Sequence, residues 1–595
     1  MNATRPSEPW GPDMANFFED NQEIQFRFEH MDLAGIAEMM EDGFKYAAEF
    51  DYAPRTASEA VDNYRRVLSS LGQLCAEFIE PRAEGVDRTG ARLNEDGSVS
   101  YAPGTVECLQ KLAQADLMGF TLPYRFGGLN FPNIIYTIAT ELVSRADAAL
   151  MNLFGLQGIA ETIDAYAGEK IKQQYLPGFA AGKFTGAMVL TEPDAGSDLQ
   201  AVKVRAYLDE AGQWRVQGVK RFITNGCGEV LLVLARSEPE ISDGRGLSLF
   251  LVERGPHVVV RRLEDKLGIH GSPTCELQFN DAPAKLIGER QRGLITYVMA
   301  LMNGARVGIA AQSLGIGEAA YRVARQYAHT RRQFGVAIEE LPAVRDMLVE
   351  MRLDLDAARA LTYETSGVVD RQYGALRKLE LDPPDDKDLI KTLRNQERTY
   401  KRLAGMLTPM SKYYASEMCN RVANNAIQVL GGSGYMRDYP CERYLRDARI
   451  TTIYEGTSQL QIVAAVRGVM SGTAEKVVDD LLASQTWPEP LETVVDRLTE
   501  ARQVLGRIVA YVKTQPGTTY MDLYGRQIVD AAIDVICGGL FLRDAARSPE
   551  RVARARRWVS TRLPHVKYLC EWVLSGDTGT LSEFPVLAGP PPEQD

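Results

Sequence analysis

Residues 185–290 constrain the fold of this chain most. They carry alternating, β-branched segments, GQWRVQGVKRFI, VLLVLARS and GLSLFLVER, punctuated by Asn-Gly, Asp-Gly and Gly-Pro steps. On either side the periodicity is helical. EAVDNYRRVLSSLGQLCAEFIE (59–80) and PNIIYTIATELVSRADAALMNL (132–153) precede the block, and IKQQYLPGFAAGK (171–183) runs into it as a helix and turn. After it come LITYVMALMNGARVGIAAQSLGIGEAAYRVARQYAHTRRQFG and MSKYYASEMCNRVANNAIQVLGG. An antiparallel sheet of roughly a hundred residues between two helical regions implies separate packed domains. The 595 residues agree, since a single core rarely grows beyond about 250–300 residues. The expected fold is mainly α with a central β domain. Its parts are an N-terminal helical extension (1–54), a helical domain (55–184), a β domain (185–290), a helical domain (291–470) and a further helical domain (471–595). The charged segment 366–402, which contains DPPDD, reads as an insertion, and AGPPPEQD at the end reads as a disordered tail.

Composition removes several function classes. The net charge of −12 argues against nucleic-acid binding, which needs a basic surface or stripe. The eight cysteines are scattered without a C-x-x-C pair, and none of the five histidines stands at ligand spacing with another, so no metal and no disulfide framework is expected. The N-terminus lacks an apolar signal region, and the most apolar stretch, IVDAAIDVICGGLFL, is short and broken by Asp530 and Asp534. A cytoplasmic protein is expected.

Four segments carry chemistry. MVLTEPDAGSDLQA (188–201) is a Gly/Ser/Asp loop after a short apolar strand, and it offers backbone N–H groups and a hydroxyl to an anion or heterocycle. Read by itself it is as easily a decorated turn. VKRFITNG (219–226) places Phe222 and Thr224 two apart on a strand, hence on one face. TRRQFG (330–335) ends a long helix with two arginines suited to phosphate. QVLGGSGYMRDYPCERYLRDARITTIYEGTSQLQ (428–461) holds a GGSG run, but one that follows a helical stripe and so fails the context of a dinucleotide fingerprint. It also holds Glu455, a carboxylate between an aromatic residue and a glycine. Such a residue is a cap, a surface group or a desolvated base.

Together and in this order, LTEPDAGSD, FITNG, RxQFG, QVLGGSGY and RDARITTIYEGTSQ resemble the signatures of the acyl-CoA dehydrogenase family across roughly residues 55–470. The N-terminal lead, the 366–402 segment and the added C-terminal block resemble larger bacterial members, such as methylmercaptopropionyl-CoA and long fatty-acyl enzymes. The resemblance implies an N-terminal helical domain, a β-barrel domain and a C-terminal four-helix bundle, with FAD between sheet and bundle and shared across a subunit interface, so a homo-oligomer, a dimer first. It places Met188, Leu190, Thr191 and Ser197 at the flavin, Ser197 also at the thioester, with Phe222, Ile223 and Thr224 behind the ring. Arg331, Gln333, Phe334, Gln428, Gly431 and Gly432 would hold the dinucleotide of the neighbouring subunit, and Thr457 and Gln459 would touch FAD after the base. Asn303, Arg306, Tyr454, Gly456 and Arg467 would meet the acyl-CoA substrate.

By the same resemblance, Glu455 removes the α-proton of the thioester and the β-hydrogen leaves as hydride to flavin N5. Electrons then pass to an electron-transfer flavoprotein. The base position of some branched-chain members reads MNGA here, with no acid, and ADAALMNLFG has no match for the arginine of glutaryl-type members. Phe222 stands where many members have Trp, and Leu341-Pro342 where many have His-Gln near the adenosine. The rival readings are an acyl-CoA oxidase and a DNA-binding flavoprotein relative. For residues 471–595, three roles compete: a packing bundle, a membrane-surface contact through the basic helix VARARRWVSTRLPHVKYL, and shaping of a substrate tunnel.

Overall fold

The computed structural model describes residues 15–381 and 385–592. The start of the expected N-terminal extension, part of DPPDD and the last three residues lie outside them. The chain divides into two compact units. One runs up to Glu397 and includes Ala415–Thr457, and the other is Arg398–Tyr414 with Ser458 onward.

In the first unit, seven strands form the sheet: β1 (Gly186–Val189), β2 (Arg205–Leu208), β3 (Trp214–Thr224), β4 (Val230–Arg236), β5 (Leu247–Glu253), β6 (Val258–Leu263) and β7 (Thr274–Ile287). The order is β1-β4-β2-β3-β7-β5, β6 lies on β7, and a β4–β5 ladder closes the sheet into a barrel. The expected antiparallel pattern holds except at β4, which pairs in parallel with both β1 and β2. Alternation sorts the side chains. Val216, Leu231, Val233, Phe250, Leu277 and Phe279 fill one core. Leu232, Leu234, Leu249 and Leu251 point the other way, against the helical residues Leu156, Ile163, Leu176 and Phe179.

Three long helices follow: Met299–Thr330, Pro342–Leu381 and Lys387–Leu430. The 366–402 segment, expected as an insertion between helices, is itself largely helical. It forms the facing ends of two helices, and Asp386 caps the second, its carboxylate accepting from the Asp388 (2.8 Å) and Leu389 (3.3 Å) amides. Met299–Thr330 packs against Asn133–Ala146 so closely that a Cβ on Gly315 would stand 2.5 Å from the Arg145 nitrogen and the Glu141 carbonyl. Around that crossing Arg359 is fully buried and pairs with Glu141 (2.7 Å) and Glu318 (2.8 Å). Burial alone would raise the Glu318 carboxyl, but Arg359, Arg352 and Arg322 hold it well below its ordinary range. Asp20, within the N-terminal extension, accepts from Arg145 (2.6 Å) and Arg322 (3.1 Å) and ties that segment to the bundle.

The second unit is helical: Ser458–Met470, Thr473–Ala483, Glu492–Lys513, Gly525–Arg547 and Val552–Val573. Trp558 is 1% exposed and donates to the Asp534 carbonyl (2.9 Å). The apolar stretch 528–542 is the buried core of this bundle. Among the described residues, the segment long and apolar enough to cross a bilayer is instead Gly293–Thr330. Residues 309–320 of that segment are all buried.

Candidate active site

The loop after β1 is clamped to β3. Glu192 and Ala195 exchange backbone hydrogen bonds (3.0 and 3.2 Å). The Glu192 carboxylate accepts from the Lys203 (2.8 Å) and Val204 (2.9 Å) amides and pairs with the Lys220 ammonium at 2.9 Å. Lys220 also donates to the Leu190 carbonyl (2.7 Å), and the Arg221 amide to the Thr191 carbonyl (2.9 Å). Burial pushes the Lys220 ammonium down to about 8 against the pull of Glu192. LTEPDAGSD and FITNG, distant in sequence, thus become neighbours, with Thr191 beside Arg221 and Phe222. Leu190 is 7% exposed and belongs to the core, while Met188 is half-buried against the same core and Ser197 is exposed.

Strand β3 bulges between Lys220 and Ile223. Phe222 sits in the bulge at φ 59° and is 54% exposed, with the Arg221 guanidinium 4.6 Å from its ring centroid. The Ile223 side chain is buried in the barrel core. Thr224 is half-buried. The next residue, Asn225, is fully buried; its amide donates to the Pro273 carbonyl (2.7 Å) and its side chain to the Gly186 carbonyl (3.0 Å).

Glu455 is held from the helical side. It stands at φ 54°, followed by Gly456 at φ 90°, directly after the short 3-10 turn Ile450–Thr452. Arg306, on Met299–Thr330, lies in its electrostatic field: burial lowers the guanidinium pKa and the Glu455 charge raises it. Arg306 also donates to the Asn303 side chain (3.0 Å). Tyr454, expected at the substrate, turns its hydroxyl to protein groups. It donates to Gln312, with Asn152 Oδ1 3.2 Å away. Asn152 in turn donates to Ser272 Oγ (3.3 Å). Ser272 precedes Pro273, the residue bonded by Asn225, so the loop 266–274 joins the end of β3 to the base. Thr457 is half-buried in the same loop as Glu455, while Gln459 and Arg467 are exposed on Ser458–Met470 in the second unit.

The 266–274 loop is itself anchored by Asp447, which accepts from the Ile269 amide at 2.6 Å. Burial pushes the Asp447 carboxyl up to about 7, with the Ile269 bond opposing. A folded-state pKa above the ordinary 3.8 means a contribution fully present below that value and lost as pH rises through about 7. Asp447→Asn should therefore reduce the fall in the urea midpoint between pH 5.5 and pH 8.5. An unchanged fall would show that another group is responsible.

The remaining expected residues are elsewhere in this chain. Arg332–Gln333 and Val336–Ala337 form a tight hairpin with Phe334 (φ 51°, 90% exposed) and Gly335 (φ 84°) at its tip. Arg331 and Gln333 are exposed beside it. Gln428, Gly431 and Gly432 are exposed after Lys387–Leu430, and the Tyr327 hydroxyl donates to Ser433 (3.4 Å), placing that turn near the hairpin. Gly431 takes φ 60°, ψ −137°, a conformation for glycine, and a Cβ on Gly431 or Gly432 would meet nothing within 4 Å. This group lies at the far end of the helix that carries Arg306, about 36 Å along its axis. The expected site residues of one chain thus fall into two separate groups.

The acyl-CoA dehydrogenase N-terminal domain matches residues 62–183, the middle domain 187–282 and the C-terminal domain 292–380 with 388–470. The chain belongs to the acyl-CoA dehydrogenase family. Its members are oxidoreductases acting on the CH–CH group of acyl-CoA. A further match, acyl-CoA dehydrogenase C terminal, covers 470–559. This dehydrogenase is 34% identical to an acyl-CoA dehydrogenase of Bacillus subtilis over 62% of its own length and 90% of that protein. It is 32% identical to 3-methylmercaptopropionyl-CoA dehydrogenase of Ruegeria pomeroyi over 69% and 71%. Butyryl-CoA dehydrogenase of Megasphaera elsdenii superposes with a TM-score of 0.57 at 28% identity, over 69% of this chain and 98% of that one. An acyl-CoA dehydrogenase of Bacillus anthracis, complexed with FAD, shares the fold with a TM-score of 0.73 at 22% identity, over 86% and 88%.

Several residues now at the site were not read from the sequence: Glu192, Lys220, Asn225, Asn152, Gln312 and Ser272. A lysine among the apolar residues of an alternating strand is the one signal that pointed to a buried partner.

Proposed function

We propose that this protein catalyses FAD-dependent α,β-dehydrogenation of an acyl-CoA thioester, with Glu455 as the base. The observation that carries the reading is the placement of Glu455. It is held at positive φ next to Arg306, and the 266–274 loop connects it to the strand that exposes Phe222 and Thr224.

The residues fit a flavin dinucleotide. Phe222 offers an exposed aromatic face, Thr224 a hydroxyl and the 191–197 loop a run of backbone groups. Arg331 and Gln333, with the open Gly431–Gly432 turn, suit a pyrophosphate. FAD, when bound, accepts the hydride from the β-carbon. Glu455 takes the α-proton onto a carboxylate oxygen, and its own backbone N–H supports the negative charge that grows on the thioester oxygen. Because the two groups of residues lie at opposite ends of one helix, each complete site draws its second half from another copy. The protein thus works as a homo-oligomer, a dimer first, in the cytoplasm. Its electrons go to an electron-transfer flavoprotein. A structural relative at 30% identity (TM-score 0.58) comes from work on the electron transferring flavoprotein of Acidaminococcus fermentans, and this supports that choice of partner.

The test is anaerobic flavin bleaching with a panel of linear, branched, aromatic and sulfur-containing acyl-CoA thioesters. At least one should bleach the flavin quickly, and the reduced enzyme should reoxidise slowly in air. Rapid reoxidation with stoichiometric peroxide would make the protein an oxidase instead.

A further inference from the structure

We propose that Gln312 and Asn152 are positioning residues for Glu455, acting through the Tyr454 hydroxyl; the inference rests on the reading of Glu455 as the base. Gln312 is fully buried. Its side-chain nitrogen has two hydrogens and spends both, on the Ala148 carbonyl (2.9 Å) and on Asn152 Oδ1 (3.0 Å). A backbone carbonyl can only accept, so the amide has one allowed orientation and its oxygen must face Tyr454. Asn152 is oriented in the same way. Its oxygen must accept from the Gln312 N–H (3.0 Å) and stands 3.2 Å from the phenol, which turns its nitrogen to Ser272 Oγ (3.3 Å).

The Tyr454 hydroxyl therefore meets two acceptors and can only donate. Burial, and then the negative charge of Glu455, raise its pKa, so it remains protonated. This pin matters because of the backbone it restrains. Glu455 and Gly456 are consecutive left-handed residues (φ 54° and 90°), and a non-glycine residue holds such a conformation only when its surroundings impose it. The pin lies one residue before the base. Within the 3-10 turn, Thr451 is fixed to the Ala448 carbonyl (2.7 Å) and accepts from Asn420 (3.4 Å). With the phenol released, the turn would stay in place and the carboxylate would lose its orientation. The same network reaches Ser272 and, through Pro273, the Asn225 end of β3. One buried hub thus sets both the base and the strand bearing Thr224.

The variants are Tyr454→Phe, Gln312→Leu and the double variant, in the full-length FAD-loaded protein. Two rates are read. One is anaerobic flavin reduction by the fastest thioester of the panel. The other is α-proton exchange in D2O with 3,3-dimethylbutyryl-CoA, which has no β-hydrogen to lose and so reports the base alone. Both rates should fall about tenfold or more, the scale of small displacements of a reacting group, while half-saturating thioester changes less than about threefold. The double variant should be no slower than the slower single one, because both remove the same bond. Tyr454→Phe keeps the ring, so its denaturation midpoint and FAD content should stay close to those of the parent and keep the test valid if Gln312→Leu folds poorly. Rates within about twofold of the parent in Tyr454→Phe, or multiplicative losses in the double variant, would overturn the proposal. Exchange that persists in Glu455→Gln would instead remove Glu455 as the base, whatever the other variants do.

Discussion

Glu455→Gln is expected to retain FAD and to lower the rate of flavin reduction by an acyl-CoA about 10²–10⁴-fold, the range a positioned general base contributes. The amide preserves size and shape but cannot take a proton. The loop should survive the change, because its fixed points are Tyr454 on the bundle and Thr451 on the Ala448 carbonyl, neither of which uses the carboxylate. The checks are an unchanged flavin spectrum, an unchanged urea midpoint and rapid-mixing kinetics with the best thioester. Near-normal reduction in this variant would mean that another group removes the proton. No acid stands at the family's other base position, since the helix before Arg306 reads MNGA.

The largest expected loss of stability follows Lys220→Met. Lys220 is fully buried and Glu192 is 6% exposed. Removing the ammonium leaves a carboxylate without its counter-charge and the Leu190 carbonyl without its donor. Breaking a buried pair from one side costs about 3–5 kcal/mol. Urea denaturation should show a loss of that size, and FAD retention should fall with it, because the clamp joins the 190–197 loop to the Phe222 strand. The double variant Lys220→Met/Glu192→Gln should recover part of the loss, since the amide carries no buried charge and still accepts from the Lys203 and Val204 amides. A single variant within about 1 kcal/mol of the parent would show that the pair is dispensable to the clamp.

Local pattern was informative wherever a residue's role depends on its immediate neighbours. Alternation in VLLVLARS and GLSLFLVER marked inward positions now filled by Leu231, Val233 and Phe250. Apolar residues at helical spacing located the helices on both sides. The pattern misled where a role depends on a partner far along the chain. Charge and proline in DPPDD hid how far the flanking helices extend, the second of them capped by Asp386. Two-residue spacing in FITNG set Phe222 and Thr224 on one face, and the resemblance added Ile223 behind a bound ring. The bulge at Phe222 sends the Ile223 side chain into the barrel. Tyr454, read as a substrate contact from its place beside the base, turns its hydroxyl to Gln312, 142 residues away in sequence.

By itself the sequence determined the alternation of helical and strand regions and the family. These rest on periodicity and on short motifs, which are properties of neighbouring residues. Only the tertiary structure decided how the motifs meet. It paired Lys220 with Glu192, brought Asn152 and Gln312 to the Tyr454 phenol, and put Arg331 about 36 Å from Arg306 along one helix. Such outcomes depend on strand register, on a bulge and on how closely two helices cross at Gly315. Each is settled by side chains far apart in the chain competing for the same buried space, and no local pattern records that competition.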